Sequence, residues 1–277
     1  MRTSTLRTKF VVGGLMAGLV HLMLTAAAVA QQSSSPDFSS GGVGWLTFRG
    51  EFIEVPGGPM PLRNDPAHPN VANNTGAQPT YRIADLTNPN LKAWAKERMK
   101  TDNDEVLAGK IAFTPRSSCT AAGVPAFILF GFQPLYFLQT PKEVVMIYSG
   151  DQQVRHIYLD VPHSPNPAPS WYGESVGHYE GETLVVDTIG LNDKTFVDSY
   201  RTPHTEKLHV IERWRLTQGG KALEATVRVE DPGTYNEPWS GIQRYDRVER
   251  PMVEEVCAEN NLHLFDYGVP MAKTPDF

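Results

Sequence analysis

The sequence predicts a mainly β protein, an antiparallel meander closed into a barrel or a strongly curled sheet. Three observations carry that expectation. From Pro134 onward apolar residues recur at every second position in short runs, the period of a strand with one buried face. Turn-forming Gly, Pro, Asn and Asp separate the runs. No segment of helical period alternates with them, which argues against a parallel α/β sheet.

The chain has 277 residues, and its first thirty read as a secretory signal peptide. Arg2, Arg7 and Lys9 precede an apolar run from Val11 to Leu24, and Ala28-Val29-Ala30 supplies small residues for cleavage. An uncleaved anchor is the alternative, since the apolar run approaches the ~20 residues of a membrane span. The Gln/Ser/Pro-rich sequence that follows favours removal. The mature chain would then begin at Gln31, periplasmic or secreted, with no membrane span. Formal net charge is −6, and the signal segment carries three cations and no acid, so the mature chain is more acidic still. An acidic chain without a basic cluster is a poor candidate for binding nucleic acid or anionic lipid, and no nucleic-acid partner is expected.

Residues 31–120 read as an irregular arm rich in Ser, Gly, Pro and Asn, with at most short strands near Trp45–Val55. Within it Leu91, Trp94, Ala95 and Met99 recur at helical spacing, which predicts one short helix near residues 90–100. The two cysteines, Cys119 and Cys257, form one disulfide in the simplest reading of an exported chain, and they lack the C-x-x-C spacing of a redox pair. Residues 121–250 are the expected β domain, and residues 251–277 a tail tied to it by that disulfide.

Leu135–Gln139, Glu143–Tyr148 and Val154–Leu159 are the first β-rich runs, with Pro141 and Ser149-Gly150-Asp151 as turns. Gly177–Tyr179 and Thr183–Thr188 flank Glu180-Gly181-Glu182. Lys207–Thr217 and Ala222–Glu230 are joined by Gln218-Gly219-Gly220-Lys221 as a hairpin, and Trp239–Val248 is a last strand.

One short motif invites a different reading. Gly173-Glu174-Ser175-Val176-Gly177 spells G-x-S-x-G, the nucleophile elbow of α/β-hydrolases, which requires a buried strand before the serine and a helix after it. Ser175 instead follows the proline-rich stretch Pro162–Pro169, which cannot be a central strand, and precedes another strand. The elbow is excluded; a serine nucleophile on another scaffold is not.

The joint pattern is more specific than its parts. Arg155-x-Ile157-Tyr158-x-Asp160, Pro169-Ser170-Trp171-x-Gly173-x-Ser175-x-Gly177 and Glu180-Gly181-x-Thr183-Leu184-Val185-Val186-Asp187-Thr188 occur with Lys194-Thr195, Glu212-Arg213, Glu230-Asp231-Pro232, Pro238-Trp239 and Glu255-x-Cys257-x-Glu259-Asn260. Together they resemble a large family of exported proteins of environmental bacteria. Tyr179 and Phe196 stand where that family's pattern has Trp, and Glu182 where it has Asp. No activity is established for the family, so the resemblance implies export and contributes no catalytic residue.

Candidate chemistry therefore comes from the residues themselves. Leu208, Val210, Glu212, Trp214 and Leu216 share one strand parity, which points Glu212 into the core or a cavity. A carboxylate there must be ion-paired, with Arg155 or Arg244 as partners, or protonated, or open to water in a cavity. His163 and His204 lie in proline-flanked loops, where functional groups are placed on a rim. Glu212 with His204 is the expected acid–base pair, with His163, Ser175 and Asp187 around it. His163, His204 and Glu212 could hold a divalent metal, but no H-x-x-x-H or H-E-x-x-H spacing supports that, and no cofactor is expected. Trp171, Tyr235 and Trp239 lie in Pro/Gly-rich turns and could wall a pocket for an apolar ligand. The leading expectation is thus a cofactor-independent hydrolase or lyase acting on a small, partly apolar organic molecule. A non-catalytic periplasmic small-molecule-binding protein and an envelope interaction protein are the alternatives.

Overall fold

Alternation along the strands decides which side chains meet. The computed structural model describes residues 35–257 apart from positions 40, 71–81, 111–113, 116–118, 130, 132 and 151–152. The expected signal peptide and the tail beyond residue 257 lie outside these residues. Ten strands form the sheet: β1 (Gly44–Leu46), β2 (Ile53–Glu54), β3 (Leu135–Gln139), β4 (Glu143–Tyr148), β5 (Gln153–Leu159), β6 (Glu174–Glu180), β7 (Thr183–Ile189), β8 (His209–Thr217), β9 (Ala222–Glu230) and β10 (Trp239–Val248). β3 to β10 follow one another in space as in sequence, and β1 lies between β10 and β3. Nine strands thereby close into a barrel, and β2 attaches to the edge of β10 beside β1, at Gly241 and Ile242.

The barrel is an antiparallel meander with one departure. β5 and β6 run parallel and pair only at Tyr158↔Val176 and Leu159↔Gly177. A parallel step needs a crossover connection, and residues 160–173, with four prolines and no helix, supply it. The strands can approach at Gly177 because it has no side chain: an added Cβ would sit 3.0 Å from Ile157 Cγ2 and 3.0 Å from the Val185 carbonyl. Towards the start of β5 the ladder stops, and the wall opens.

The arm is more than a covering. Its β1 is the strand that closes the barrel, pairing with β10 at three positions and with β3 at Trp45↔Leu135. Trp45 is fully buried, and its Nε1 donates to the Phe38 carbonyl at 2.7 Å. Inside the barrel Phe137, Trp214 and Tyr245 are in ring contact, with centroids 5.6 Å apart for the first pair and 5.9 Å for the second. Each large apolar side chain buried in this way contributes roughly 1.5–3 kcal/mol of transfer free energy.

The helix is longer than the apolar period suggests. It spans Ala93–Leu107 and buries Ala95, Met99, Asn103 and Val106 along one face. Asn103 sits on the buried stripe because its amide pairs with the backbone of Ala84, accepting from the N–H at 3.1 Å and donating to the carbonyl at 3.0 Å. Trp94 Nε1 donates to the Gly233 carbonyl at 2.7 Å, which ties the start of the helix to the β9–β10 turn. The disulfide joins Cys119 to Cys257, with Cα atoms 5.6 Å apart.

Candidate functional site

The opening between β5 and β6 forms a cleft of about 440 Å³. Arg155 and Ser175 are at its floor; Val154, His156 and Tyr158 come from the outward face of β5, and the loop from Ser164 to Ala168 lies opposite. His156 and Tyr158 are stacked with ring planes 16° apart, and Tyr158 is 49 % exposed. Tyr172 closes one end, its hydroxyl donating to Gln153 Oε1.

Beneath the floor lies a closed polar cluster. Arg155 alternates inward with Ile157 and Leu159, and Glu212 inward with Val210 and Trp214, so both charges enter the barrel from strands separated by β6 and β7. Arg155 Nη1 donates to both Glu212 oxygens, at 3.0 and 2.9 Å, and both side chains are 0 % exposed. Its Nε and Nη2 reach Ser175 Oγ at 3.3 and 3.1 Å, and Nη2 also reaches Thr188 Oγ1 at 2.9 Å. Ser175 and Thr188 share a hydrogen bond of 2.9 Å, and Trp214 Nε1 donates to Glu212 Oε2 at 3.2 Å. Burial, reinforced by the Glu212 charge, pushes the neighbouring Tyr245 hydroxyl well above the usual phenol range. The carboxylate placed inside by strand parity is therefore matched by Arg155. Arg244, the other partner considered, instead donates to Glu224 at 2.8 Å from a largely exposed position.

His204 is elsewhere. It is buried, with Nε2 2.8 Å from Thr195 Oγ1 and Nδ1 3.1 Å from the Thr205 carbonyl, and no hydrogen bond joins it to Glu212. Burial lowers its pKa from the ordinary 6.5, which favours the neutral ring. Asp231 holds this loop in place, accepting from Thr205 N and Thr234 Oγ1 at 2.7 Å each and from Gly233 N at 2.8 Å. Gly123 packs against the same Thr195. With φ of 76°, it would place an added Cβ 2.4 Å from Thr195 Oγ1. Gly123→Ala should destabilise by about 1–3 kcal/mol through strain and a displaced Thr195. A thermal melt matching the parent would show that Thr195 retreats freely.

His163 and Asp187 are brought together, on the outer face of the barrel. His163 Nδ1 lies 3.0 Å from Glu174 Oε1, and its Nε2 lies 2.9 Å from Asp187 Oδ1. His209 Nε2 is 2.9 Å from the same Asp187 oxygen, and its Nδ1 is 3.7 Å from Glu230 Oε2. The hydrogen bond from His209, and after it the one from His163, holds the Asp187 carboxyl below its ordinary range. The bond to Asp187 in turn raises the His209 pKa. Ser164, through its hydroxyl, is the main cause of a lowered Glu174 pKa.

The residues expected to form one catalytic centre thus occupy three places. Glu212 and Ser175 belong to the interior cluster, His204 to a buried loop, and His163 with Asp187 to the outer face. Among the expected pocket aromatics, Tyr235 and Trp239 are 4 % and 2 % exposed. They pack on each other with centroids 6.0 Å apart, and Phe52 of the arm covers Trp239 at 5.5 Å. Trp171 lies beneath Lys194 Nζ at 5.9 Å from its ring centroid, and its neighbour Tyr172 enters the cleft instead. Tyr158, Thr188 and Glu174 lie within the quoted motifs but are not among the candidate site residues that the sequence suggests. Parity does mark Thr188 as inward beside Leu184 and Val186, and Tyr158 as an outward aromatic on a half-exposed strand. Among the described residues no group of three or more His, Cys, Asp or Glu is arranged to hold a metal ion.

Comparisons of the chain with protein-family models, with curated proteins and with solved structures give no match.

Proposed function

We propose that the protein is an exported small-molecule-binding barrel whose ligand occupies the cleft between β5 and β6. The observation that carries this reading is the interrupted β5–β6 ladder, which leaves a cleft of about 440 Å³ between half-exposed aromatic rings and a buried ionic floor. That volume falls within the ~300–1,000 Å³ of small-molecule sites, and mixed apolar walls with a few fixed polar groups are their usual lining. The His156/Tyr158 pair suits a planar or ring portion of a ligand, and the polar floor and Glu174 suit a hydrogen-bonding end. The disulfide accords with export into an oxidising compartment, the periplasm or beyond.

Binding is favoured over turnover because the interior groups satisfy one another. Glu212 is neutralised by Arg155, and His204 is bonded on both ring nitrogens. An acid–base role in the cleft would fall to Glu174, which lines it, with His163 behind that carboxylate at 3.0 Å. The test is a nuclear magnetic resonance screen with a library of small aromatic acids, amides and alcohols. Fragments should shift resonances of residues 153–159 and 164–175. Tyr158→Ala should weaken binding by about ten-fold or more. Its melting temperature should be unchanged, because the ring is half exposed. A screen with no shifts in these two segments would overturn the reading. Conversion of a bound fragment to product, lost in His163→Gln, would replace binding with catalysis.

A further inference from the structure

We propose that His163 is a positioning residue that latches the proline loop over the cleft, and that the latch holds only while the imidazole carries both protons. The proposal builds on the reading of the cleft as the ligand site, since the loop that His163 anchors forms one of its walls.

The loop has few other ties at this end. Pro162, Pro165, Pro167 and Pro169 have no N–H to donate. Ser164 makes two contacts, its N–H to Glu174 Oε1 at 2.7 Å and its hydroxyl to Glu174 Oε2 at 2.5 Å. Both go to the carboxylate that His163 also contacts. The far end is held separately, by Ser170 N–H on the Gly190 carbonyl at 3.0 Å. The first residue of the crossover is held by the Asp160 N–H on the Gly177 carbonyl at 2.8 Å, and beyond it the near end of the loop is fastened to the barrel through Glu174 of β6 and Asp187 of β7.

Proton counting makes that fastening conditional. Ionised carboxylates only accept, and a neutral imidazole has one N–H and one lone pair. His163 faces carboxylate oxygens with both nitrogens, at 3.0 and 2.9 Å. Losing one proton turns one of the two contacts into lone pair against oxygen. The surroundings reinforce this. His209 of β8 shares Asp187, Glu230 of β9 approaches His209 at 3.7 Å, and Arg228 of β9 pairs with Glu230 at 2.6 Å. Three carboxylates thus meet one permanent cation, and the cluster is electrically balanced only when both imidazoles are charged.

The signs at the neighbouring groups agree with that count. The raised His209 pKa means that its contribution is complete below the ordinary 6.5 and lost as pH rises through the raised value. Glu174 and Asp187 are lowered, so their contributions are present above the ordinary 4.5 and 3.8 and lost as pH falls through the depressed values. Around the latch, then, the carboxylates are charged and the neighbouring imidazole is held in its charged form, the state in which two donors at His163 are matched by two acceptors.

The experiment reads the free protein. Amide-exchange protection of Ser164, corrected for the intrinsic pH dependence of exchange, is measured from about pH 5.5 to pH 8.5. Protection should fall by about ten-fold over that range, the worth of one charge-assisted contact. His163→Gln should give low protection with no such fall, since an amide does not titrate there. His209→Gln should retain the fall, because His163 keeps both contacts. Native protection that is constant over the range would overturn the proposal, as would a His163→Gln profile that follows the native one. Loss of the fall in His209→Gln would also overturn it, by assigning the transition to His209. No ligand enters the measurement, so an empty fragment screen would sink the binding reading and leave the latch standing.

Discussion

Glu212→Gln should lower the unfolding free energy by about 3–5 kcal/mol, the usual cost of removing one partner of a buried ion pair. Arg155 and Glu212 are both inaccessible to solvent, and among the described residues the guanidinium has no other anion within its hydrogen-bond set, which otherwise consists of the Ser175 and Thr188 hydroxyls. An amide keeps the shape and one acceptor but removes the charge, leaving the arginine uncompensated where water cannot reach it. Arg155→Met should do comparable damage from the other side, stranding a carboxylate that retains only the Trp214 N–H. The double variant Glu212→Leu with Arg155→Met removes both charges and should be more stable than either single change. Urea melts on the three proteins check this. A Glu212→Gln variant within about 1 kcal/mol of the parent would mean that water enters the barrel beside Arg155, which is incompatible with a closed floor to the cleft.

This cluster also shows how far local pattern carries. The parity of Leu208, Val210, Trp214 and Leu216 places Glu212 inside, and a buried carboxylate demands a cation, which narrows the choice to Arg155 or Arg244. Choosing between them requires register between β5 and β8, strands that are not neighbours in the sheet. No local period encodes that register. The same limit explains the other differences. The runs that became β3, β4, β9 and β10 coincide with their observed bounds because turn-forming residues bracket each of them; β4 and β10 alternate along their length, whereas β3 and the start of β9 are apolar and buried at successive positions. β1 has three residues and is a strand only because β10 and β3 flank it. The continuation of the helix past Met99 depends on Asn103 meeting the backbone of Ala84, a contact that composition reads as polar loop. The outer His163–Asp187–His209 cluster joins a loop to two strands, and its geometry exists only once the parallel β5–β6 step has folded that loop back.

Breaking the disulfide should have the other large effect, and its location says where. Cys119 precedes β3 and Cys257 follows β10, with a sequence separation of 138. In the chain-entropy account a loop of that length contributes about 5 kcal/mol by restricting the unfolded chain. The structure adds a local consequence. β3 and β10 are the two strands that meet only through β1, and β1 holds β3 at a single register position and β10 at three. By contrast, β8 and β9 pair along nine positions. The closure at β1 is therefore the weakest antiparallel seam of the barrel, and the disulfide straps the chain on either side of it. Cys119→Ser with Cys257→Ser should lower stability by about 3–5 kcal/mol in urea melts. Amide exchange in β1 and β3 should accelerate well before exchange in β7, β8 and β9 does. Equal acceleration in all strands would mean that the disulfide acts on the unfolded chain alone. Unchanged melts, or two alkylatable thiols in the folded parent, would mean that the barrel closes through β1 without the strap.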